Sequence, residues 1–512
     1  MSTGFGSNLM VSLPASKVLD PRDAYFDTEG VDNDLIGKTG RSAGLILIFS
    51  AMRLLLTILT TSILARMVSP AEQGIVALAM PVVLIVTGLS EFGLAQAVVQ
   101  SKKINHRTVS VLFWVNFGLG LLLSITVALL GVSAANYYGV SEVRWVFVAL
   151  APNVMVSVLC VQYVAILRRQ MQIKLIEVCS LAGVVASAFV AVGAAALGAS
   201  YWALVIQVLV AQGLNLILLV SLVRWRPSVP WRFPVRDARG ALSFGGYLAI
   251  DRLLNEIILN FQTVVIGRAI GSTEAGLFFR SYTLAEMPRR RIVGPLSGAF
   301  VPSLSRLQGD PEGFRDMYVW QIGRGNLIMV PLGLFMCLCS DVIVLILLGE
   351  NWLGAIPILS WLGLMTISTL TISSFNWSLV SCGRAFQLFI FRIIPNIVRV
   401  MVLVFTARYG LIILVATFTL TNILVMGPVL YLAATKYTPL DRFTVWKTIK
   451  FDILFVLFVG IFCYGLRMLL DLHPVFESLL VGVIILTVFA IRIYKTTEYR
   501  NDVMNILRKF TK

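Results

Sequence analysis

Residues 243–308 read SFGGYLAIDRLLNEIILNFQTVVIGRAIGSTEAGLFFRSYTLAEMPRRRIVGPLSGAFVPSLSRLQ. The hydropathy is that of two membrane-spanning helices, roughly 244–268 and 276–302, joined by the turn Gly271–Gly276. Yet the stretch carries Asp251, Arg252, Glu256, Arg280, Glu286, Arg289, Arg290 and Arg291. Each charge at the centre of a bilayer costs about 2.5–3.5 kcal/mol. Such groups must therefore face one another, a wet cavity or a polar ligand. The stretch predicts helices built around a polar interior within a membrane.

The rest of the chain agrees. Of 512 residues, 58% are hydrophobic and 13% charged, where a soluble globular protein carries about 25% charged residues. Apolar runs long enough to cross a bilayer recur along the whole length. They predict an all-α polytopic membrane protein of about fourteen spans. The first six fall near 42–65, 75–98, 108–130, 145–167, 176–196 and 201–223. Six more fall near 244–268, 276–302, 325–348, 353–380, 386–407 and 411–433, and two near 451–470 and 476–494.

The net charge of +16 is distributed as membrane topology requires. Lys102, Lys103 and Arg107, then Arg168, Arg169 and Lys174, then Arg224–Arg239, and the residues from Arg492 onward mark alternate loops. The opposite turns hold little beyond Arg66, Arg144, Arg268, Arg408 and Arg467. Basic loops lie on the cytoplasmic side, so both termini are expected inside, and no nucleic-acid partner is implied. The six cysteines fall in or beside apolar spans with no metal or disulfide spacing, and two histidines exclude a histidine-rich metal site.

The divisions follow: a polar cytoplasmic tail over 1–41, a first lobe over 42–223, a basic linker over 224–243 and a second lobe over 244–433. Two further spans lie within 434–494, and an amphipathic tail occupies 495–512. The N-terminal tail lacks the basic start and apolar core of a signal peptide and reads as a flexible extension. In the linker, prolines forbid a regular helix, and Trp225 and Trp231 suit the headgroup layer. From Tyr499 to Phe510 an apolar stripe opposes a basic face, as in a helix lying on a membrane surface.

An internal repeat relates the lobes. Ile63–Gly74 reads ILARMVSPAEQG and Val265–Gly276 reads VIGRAIGSTEAG. Arg66 and Arg268 are each followed by Glu at +6 and Gly at +8, at an offset of 202 residues. Six spans separate the copies, so the halves share orientation: a parallel duplication of six helices, with two helices added. Parallel repeats of this kind are a transporter device.

Within the spans, arginines outnumber acids. Arg53 falls in the first span and Glu91 in the second. The seventh adds Asp251, Arg252, Asn255, Glu256, Asn260 and Gln262; Asp251, Asn255 and Gln262 share one helical face. The eighth adds Arg280, Glu286, Arg289, Arg290 and Arg291, the ninth Asp341, and the eleventh Arg392 and Arg399. Successive helical residues point about 100° apart, so the three consecutive arginines do not line one wall; Arg289 and Arg290 sit at i+3 and i+4 from Glu286, placing one in an ion pair. The excess positive charge implies an anionic ligand. Arginine suits a phosphate through its bidentate fork, and a pyrophosphate-linked lipid meets that requirement.

These residues carry a resemblance. LARMVSPAEQGIVALAM, EFGLAQAVVQSKKIN, SVLFWVNFGLGLLL, ASYWALVIQ, VVIGRAIGSTEAGLFFRSYTLAEMPRRR and FVPSLSRLQGD resemble the Wzx-type polysaccharide flippases of the multidrug/oligosaccharidyl-lipid/polysaccharide exporter superfamily, of the colanic-acid and succinoglycan kind. The resemblance implies two six-helix lobes, a bacterial inner-membrane location and alternating access. It also implies transport of undecaprenyl-pyrophosphate-linked oligosaccharide for exopolysaccharide synthesis, with polymerase and export proteins of the same pathway as partners. Where such proteins often carry Asn-x-Asp, this chain has Asn260-x-Gln262. Coupling to protons or sodium would then fall to Asp251, Glu256 or Glu91. The expected substrate set is Arg53, Arg252, Arg280, Arg289, Arg290, Arg291, Arg392, Arg399, Asn255, Asn260 and Gln262. The expected coupling or ion-pair set is Glu91, Asp251, Glu256, Glu286 and Asp341. No metal, cofactor or enzymatic chemistry is expected. The rivals are a small-solute or multidrug antiporter of the same superfamily, and a membrane polysaccharide polymerase or ligase.

Overall fold

A computed structural model of the protein describes residues 26, 35–90, 104–228, 256–257, 260–469 and 474–495. Glu91, Asp251, Arg252, Asn255, Trp231, most of the linker and the amphipathic C-terminal stripe lie outside the described residues. Among the described residues the secondary structure is entirely helical. The helices are α1 (Leu35–Met67), α2 (Pro70–Ser90), α3 (His106–Tyr138), α4 (Val143–Arg169), α5 (Ile173–Ala196) and α6 (Trp202–Leu222). A helical run over 260–269 (α7) leads to α8 (Ser272–Pro288), a π-helical segment (Arg289–Val293) and α9 (Gly294–Arg306). Then follow α10 (Pro311–Leu338), α11 (Ser340–Leu347), a 3-10 turn (Glu350–Ala355), α12 (Ile356–Ser381) and α13 (Ala385–Thr406). The chain continues through α14 (Leu411–Thr421), a second π segment (Asn422–Met426), α15 (Gly427–Tyr437), α16 (Arg442–Leu469) and α17 (Pro474–Lys495).

Among the described residues, eleven helices are long and apolar enough to cross a membrane. The chain is an all-helical multi-pass membrane protein. Local chemistry sets the helix ends. Asn105 caps α3 by accepting from the Thr108 amide (2.9 Å), and Gly139, at φ 70°, closes it in the left-handed conformation. The predicted ninth span is divided: Cys339, at φ −114° and ψ 27°, ends α10 and begins α11.

Both π segments are followed directly by Gly–Pro: Gly294–Pro295 and Gly427–Pro428. Proline lacks an N–H and its ring crowds the carbonyl four residues earlier. A widened turn relieves that crowding without ending the helix. The 100° spacing expected for Arg289–Arg291 is therefore not the geometry found, because these residues occupy a π turn.

Contacts divide the chain into two units, residues 1–68 with 78–260, and residues 69–77 with 261–512. In the first unit an aromatic cluster contains Phe113, Tyr163 and Trp225. Trp225 is 3% exposed, covered by the protein itself. Its indole donates to His106 Nδ1 at 2.9 Å, which burial of an N–H requires. Phe26 of the N-terminal tail is also buried here, edge-on to Trp225, and its carbonyl accepts from Arg169 Nε at 3.1 Å. At this residue the tail is anchored rather than free. In the second unit α10 and α12 pack at backbone contact. A Cβ on Gly363 would lie 2.5 Å from the Cys337 nitrogen, the small-residue packing that membrane helices use.

Candidate functional site

The repeat is read most directly at the start of α2 and α8. Ser69 and Glu72 form a capping box: the Glu72 carboxylate accepts from the Ser69 amide and hydroxyl, both at 2.8 Å. In the second copy Gly271 holds φ 141° at the corresponding place. The two glycines at +8 then meet reciprocally. A Cβ on Gly74 would lie 1.9 Å from the Ser272 carbonyl oxygen, and one on Gly276 would lie 2.3 Å from that of Pro70. Pro70 and Ser272 are themselves repeat-related by the same 202-residue offset. One turn deeper, Arg280 Nε donates to Gln73 Oε1 at 2.9 Å, and Nη2 reaches the same oxygen. Gln73 was not among the predicted site residues, although it adjoins the repeated glutamate.

In the first unit an arginine of the spans is neutralised within the protein. Arg53 on α1 pairs with Glu177 on α5 at 2.7 Å and donates to Ser180 at 2.8 Å. Glu177 was missed by sequence reading. Its signal was available, since it is the one acid in the predicted span 176–196. Glu256 packs beneath α2, with a Cβ on Gly88 falling 3.4 Å from its Cγ. Asn260 Nδ2 bonds the Glu256 carbonyl at 2.9 Å and its carboxylate at 3.3 Å.

The second unit keeps an excess of positive charge. Glu286, 5% exposed, pairs with Arg289 and lies 3.7 Å from Arg290. The Arg290 side chain is 69% exposed, and Arg291 is exposed too. From α13, Arg399 is buried with its guanidinium 4.0 Å from the centre of the Phe418 ring on α14. Its Nε has no hydrogen-bond partner among the described residues. Tyr282, Glu286 and Arg392 lie within electrostatic reach of Arg399, and Arg289 and Arg290 within reach of Tyr282. The structure thus brings together Glu286, Arg289, Arg290, Arg392 and Arg399, and adds Tyr282 and Phe418.

Other predicted residues fall elsewhere. Asp341 pairs with Arg467, which also bonds Glu477 at 3.2 Å, tying α11, α16 and α17 as a structural clamp. Gln262 is 1% exposed, and neither amide atom has a hydrogen-bond partner among the described residues. No group of three or more potential metal-ligating side chains occurs among the described residues.

The comparisons with known proteins agree with this architecture. Among solved structures, the lipid II flippase MurJ in an inward closed conformation superposes with a TM-score of 0.66 at 12% identity, covering 88% of this chain and 98% of that one. An inward-facing multidrug resistance MATE family transporter of the MOP superfamily superposes with a TM-score of 0.62 at 14% identity, covering 78% and 96%. At such identities the likeness is one of fold. In sequence, the lipopolysaccharide biosynthesis protein WzxC of Escherichia coli is 23% identical over 307 residues, 59% of this chain and 61% of that protein. The match therefore spans about three fifths of that relative. The succinoglycan biosynthesis transport protein ExoT of Rhizobium meliloti is 25% identical over 334 residues, 65% of this chain and 67% of that protein. Residues 63–357, more than half of the chain, match the polysaccharide biosynthesis protein family, and the protein belongs to that family.

Proposed function

We propose that this protein flips undecaprenyl-pyrophosphate-linked oligosaccharide repeat units across the bacterial inner membrane, from the cytoplasmic to the periplasmic face, for exopolysaccharide assembly. The observation that carries the reading is Arg399: a buried guanidinium stacked on Phe418, with Nε unbonded and Arg392 nearby. A cation kept in a membrane-crossing helix without a full set of bonds is expensive, and a pyrophosphate supplies the missing acceptors. Arg399 and Arg392 would take the bridging phosphates. Arg290, only loosely associated with Glu286, would follow the phosphate or the first sugar. A family of polysaccharide biosynthesis proteins and a fold shared with a lipid flippase support the same reading.

Movement by alternating access requires a junction that opens. The reciprocal contact of Gly74 with Ser272 and Gly276 with Pro70 is the proposed closure on the periplasmic side, bolted by Arg280 and Gln73. Glu256, held by Asn260 and lining Gly88, is the described acid best placed to exchange a proton or sodium ion, since Gln262 carries no charge. An antiporter of cationic drugs would need an acidic site, and the basic cluster argues against one.

The test is leaflet assignment of lipid-linked repeat units in cells lacking the protein. Full-length units should accumulate facing the cytoplasm, and an Arg399→Ala copy present at normal membrane levels should fail to relieve this. Units that reach the periplasm and remain unpolymerised would replace the flippase reading with the polymerase one.

A further inference from the structure

On the second unit, apart from the arginine cluster, α10, α12, the second π segment with α15, and α16 enclose a cavity of about 580 Å³. Its volume falls within the range of small-ligand sites. Its wall is almost wholly hydrocarbon: Ile372, Leu424, Ile453 and Leu457 line it, Asn326 donates to Asp452 at 2.6 Å and to Thr371 at 3.3 Å, and the Ser368 hydroxyl donates to the Met365 carbonyl at 2.9 Å. Leu424, Ile453 and Leu457 are exposed, so the cavity is a groove open along its length to the surroundings of a membrane-crossing helix.

Depth and charge identify the occupant. Along α16 the lining runs from Trp446 to Leu457, about 16 Å at 1.5 Å per residue. That is half of a hydrocarbon core of about 30 Å, the depth of one leaflet. At the Trp446 end stand two aromatic residues suited to the headgroup layer, Trp446 and Tyr431. Tyr431 donates to the Arg442 carbonyl at 3.1 Å, which places the first turn of α16 at this mouth. The exposed residues of those first turns include Arg442, Lys447 and Lys450. Asp441 beside them is engaged by Arg315 and by the Thr444 amide.

We propose that the groove binds one anionic phospholipid, an acyl chain along Leu424, Ile453 and Leu457 and its phosphate on Arg442 at the mouth and Lys450 at the groove's edge. A groove one leaflet deep matches an acyl chain and is short for a long polyprenyl chain. The site is distinct from the basic cluster assigned to transport, and stands or falls independently of it.

The full-length protein, purified in detergent, is titrated by native mass spectrometry with dioleoyl phosphatidylglycerol and dioleoyl phosphatidylcholine. One tight equivalent of phosphatidylglycerol is expected, at least tenfold tighter than phosphatidylcholine. Gly427→Leu fills the groove. A Cβ there meets Ile372 at 3.9 Å, ordinary contact, so the variant should melt as the parent does and lose the tight equivalent. Arg442→Gln and Lys450→Gln should each weaken phosphatidylglycerol about fivefold and leave phosphatidylcholine unchanged, whereas Lys447→Gln, on the far face of α16, should change neither, and a fivefold loss confined to Lys447→Gln overturns the proposal. Equal affinity for the two lipids, or an undiminished tight equivalent in a folded Gly427→Leu variant, overturns the proposal. So does one-for-one displacement of phosphatidylglycerol by equimolar undecaprenyl phosphate, which would assign the groove to the transported lipid.

Discussion

Arg53 and Arg399 sit in membrane-crossing helices of different units, and their environments are opposite. Arg53 meets a carboxylate at 2.7 Å and a hydroxyl at 2.8 Å. Arg399 lies against an aromatic ring with no carboxylate paired to it among the described residues, while the Nε of both arginines is unbonded. The first arrangement closes a charge off; the second keeps it ready. An arginine within a membrane helix is thus a sign of a binding site only when its own protein supplies it with no carboxylate partner. By that criterion the first unit uses its arginine to join α1 to α5, and the second unit uses Arg399 to meet a ligand.

Glu177→Ala breaks this comparison at its strongest point, on the scale of stability. Glu177 is buried and Arg53 partly so; removing one partner of such a pair strands the other, at a cost of up to about 3–5 kcal/mol. The denaturation midpoint of the purified protein should fall accordingly, and a Glu177→Leu, Arg53→Met double variant should recover most of the loss. A Glu177→Ala protein as stable as the parent would mean that Arg53 is not neutralised by this pair. Gly276→Ala comes next. Its Cβ would lie 2.3 Å from a backbone oxygen that has no side-chain freedom to retreat, and overpacking of this kind costs about 1–3 kcal/mol. Gly298→Ala, with nothing within 4 Å of the added atom, is the matched control and should leave the midpoint unchanged. If Gly276→Ala also holds the junction apart, flipping falls further than stability does.

Arg399→Ala sharpens the comparison, because its two readouts separate. An exposed cation–π contact is worth about 0.5–1 kcal/mol and a desolvated one about 2, so the loss in stability should stay below that of Glu177→Ala. Loss of the proposed phosphate contact should lower flipping at least tenfold. Arg399→Lys keeps the charge without the planar fork and should restore only part of the flipping. Should Arg53→Ala and Arg399→Ala reduce flipping equally at equal membrane levels, the distinction between a closed and a ready arginine fails.

The fold was legible because membrane insertion imposes long apolar runs, and because the repeat is written in the residues that make its contacts. Gly74 and Gly276 recur because each must let the other copy's backbone approach. The partners of the charges were less legible. Arg53 and Glu177 are separated by 124 positions, and nothing in either local sequence names the other. The pairing of Glu286 with Arg289 was legible, because i and i+3 neighbours on one helix meet by geometry alone. The altered spacing of Arg289–Arg291 was not, since a proline six residues beyond Arg289 acts backward on the turn. The burial of Trp225 was not legible for a related reason: its partner His106 is 119 positions away.

Outside the membrane the same chemistry is worth least. Arg315 and Asp441 pair at 3.3 Å with side chains 39% and 33% exposed, and exposed pairs contribute about 0–1 kcal/mol. Asp441 also caps α16, accepting from the Thr444 amide at 2.8 Å, a bond of the kind that contributes about 1 kcal/mol. That amide, with Arg315 adding to it, holds the Asp441 carboxyl below its ordinary value of 3.8. Lowering a carboxyl in the folded state stabilises the protein above the unfolded value, and the contribution is lost as pH falls through the lower folded one. Asp441→Asn should therefore lower the melting temperature at pH 6, with the difference from the parent shrinking below about pH 4 as the parent's own carboxylate takes up its proton. An asparagine side chain still caps, so the difference at pH 6 should be the smallest of the series. A deficit in Asp441→Asn that persists unchanged at pH 3 would show that the loss is not one of charge. The graded series, from Arg53 to Arg399 to Arg315, would then lose its electrostatic basis at the exposed end.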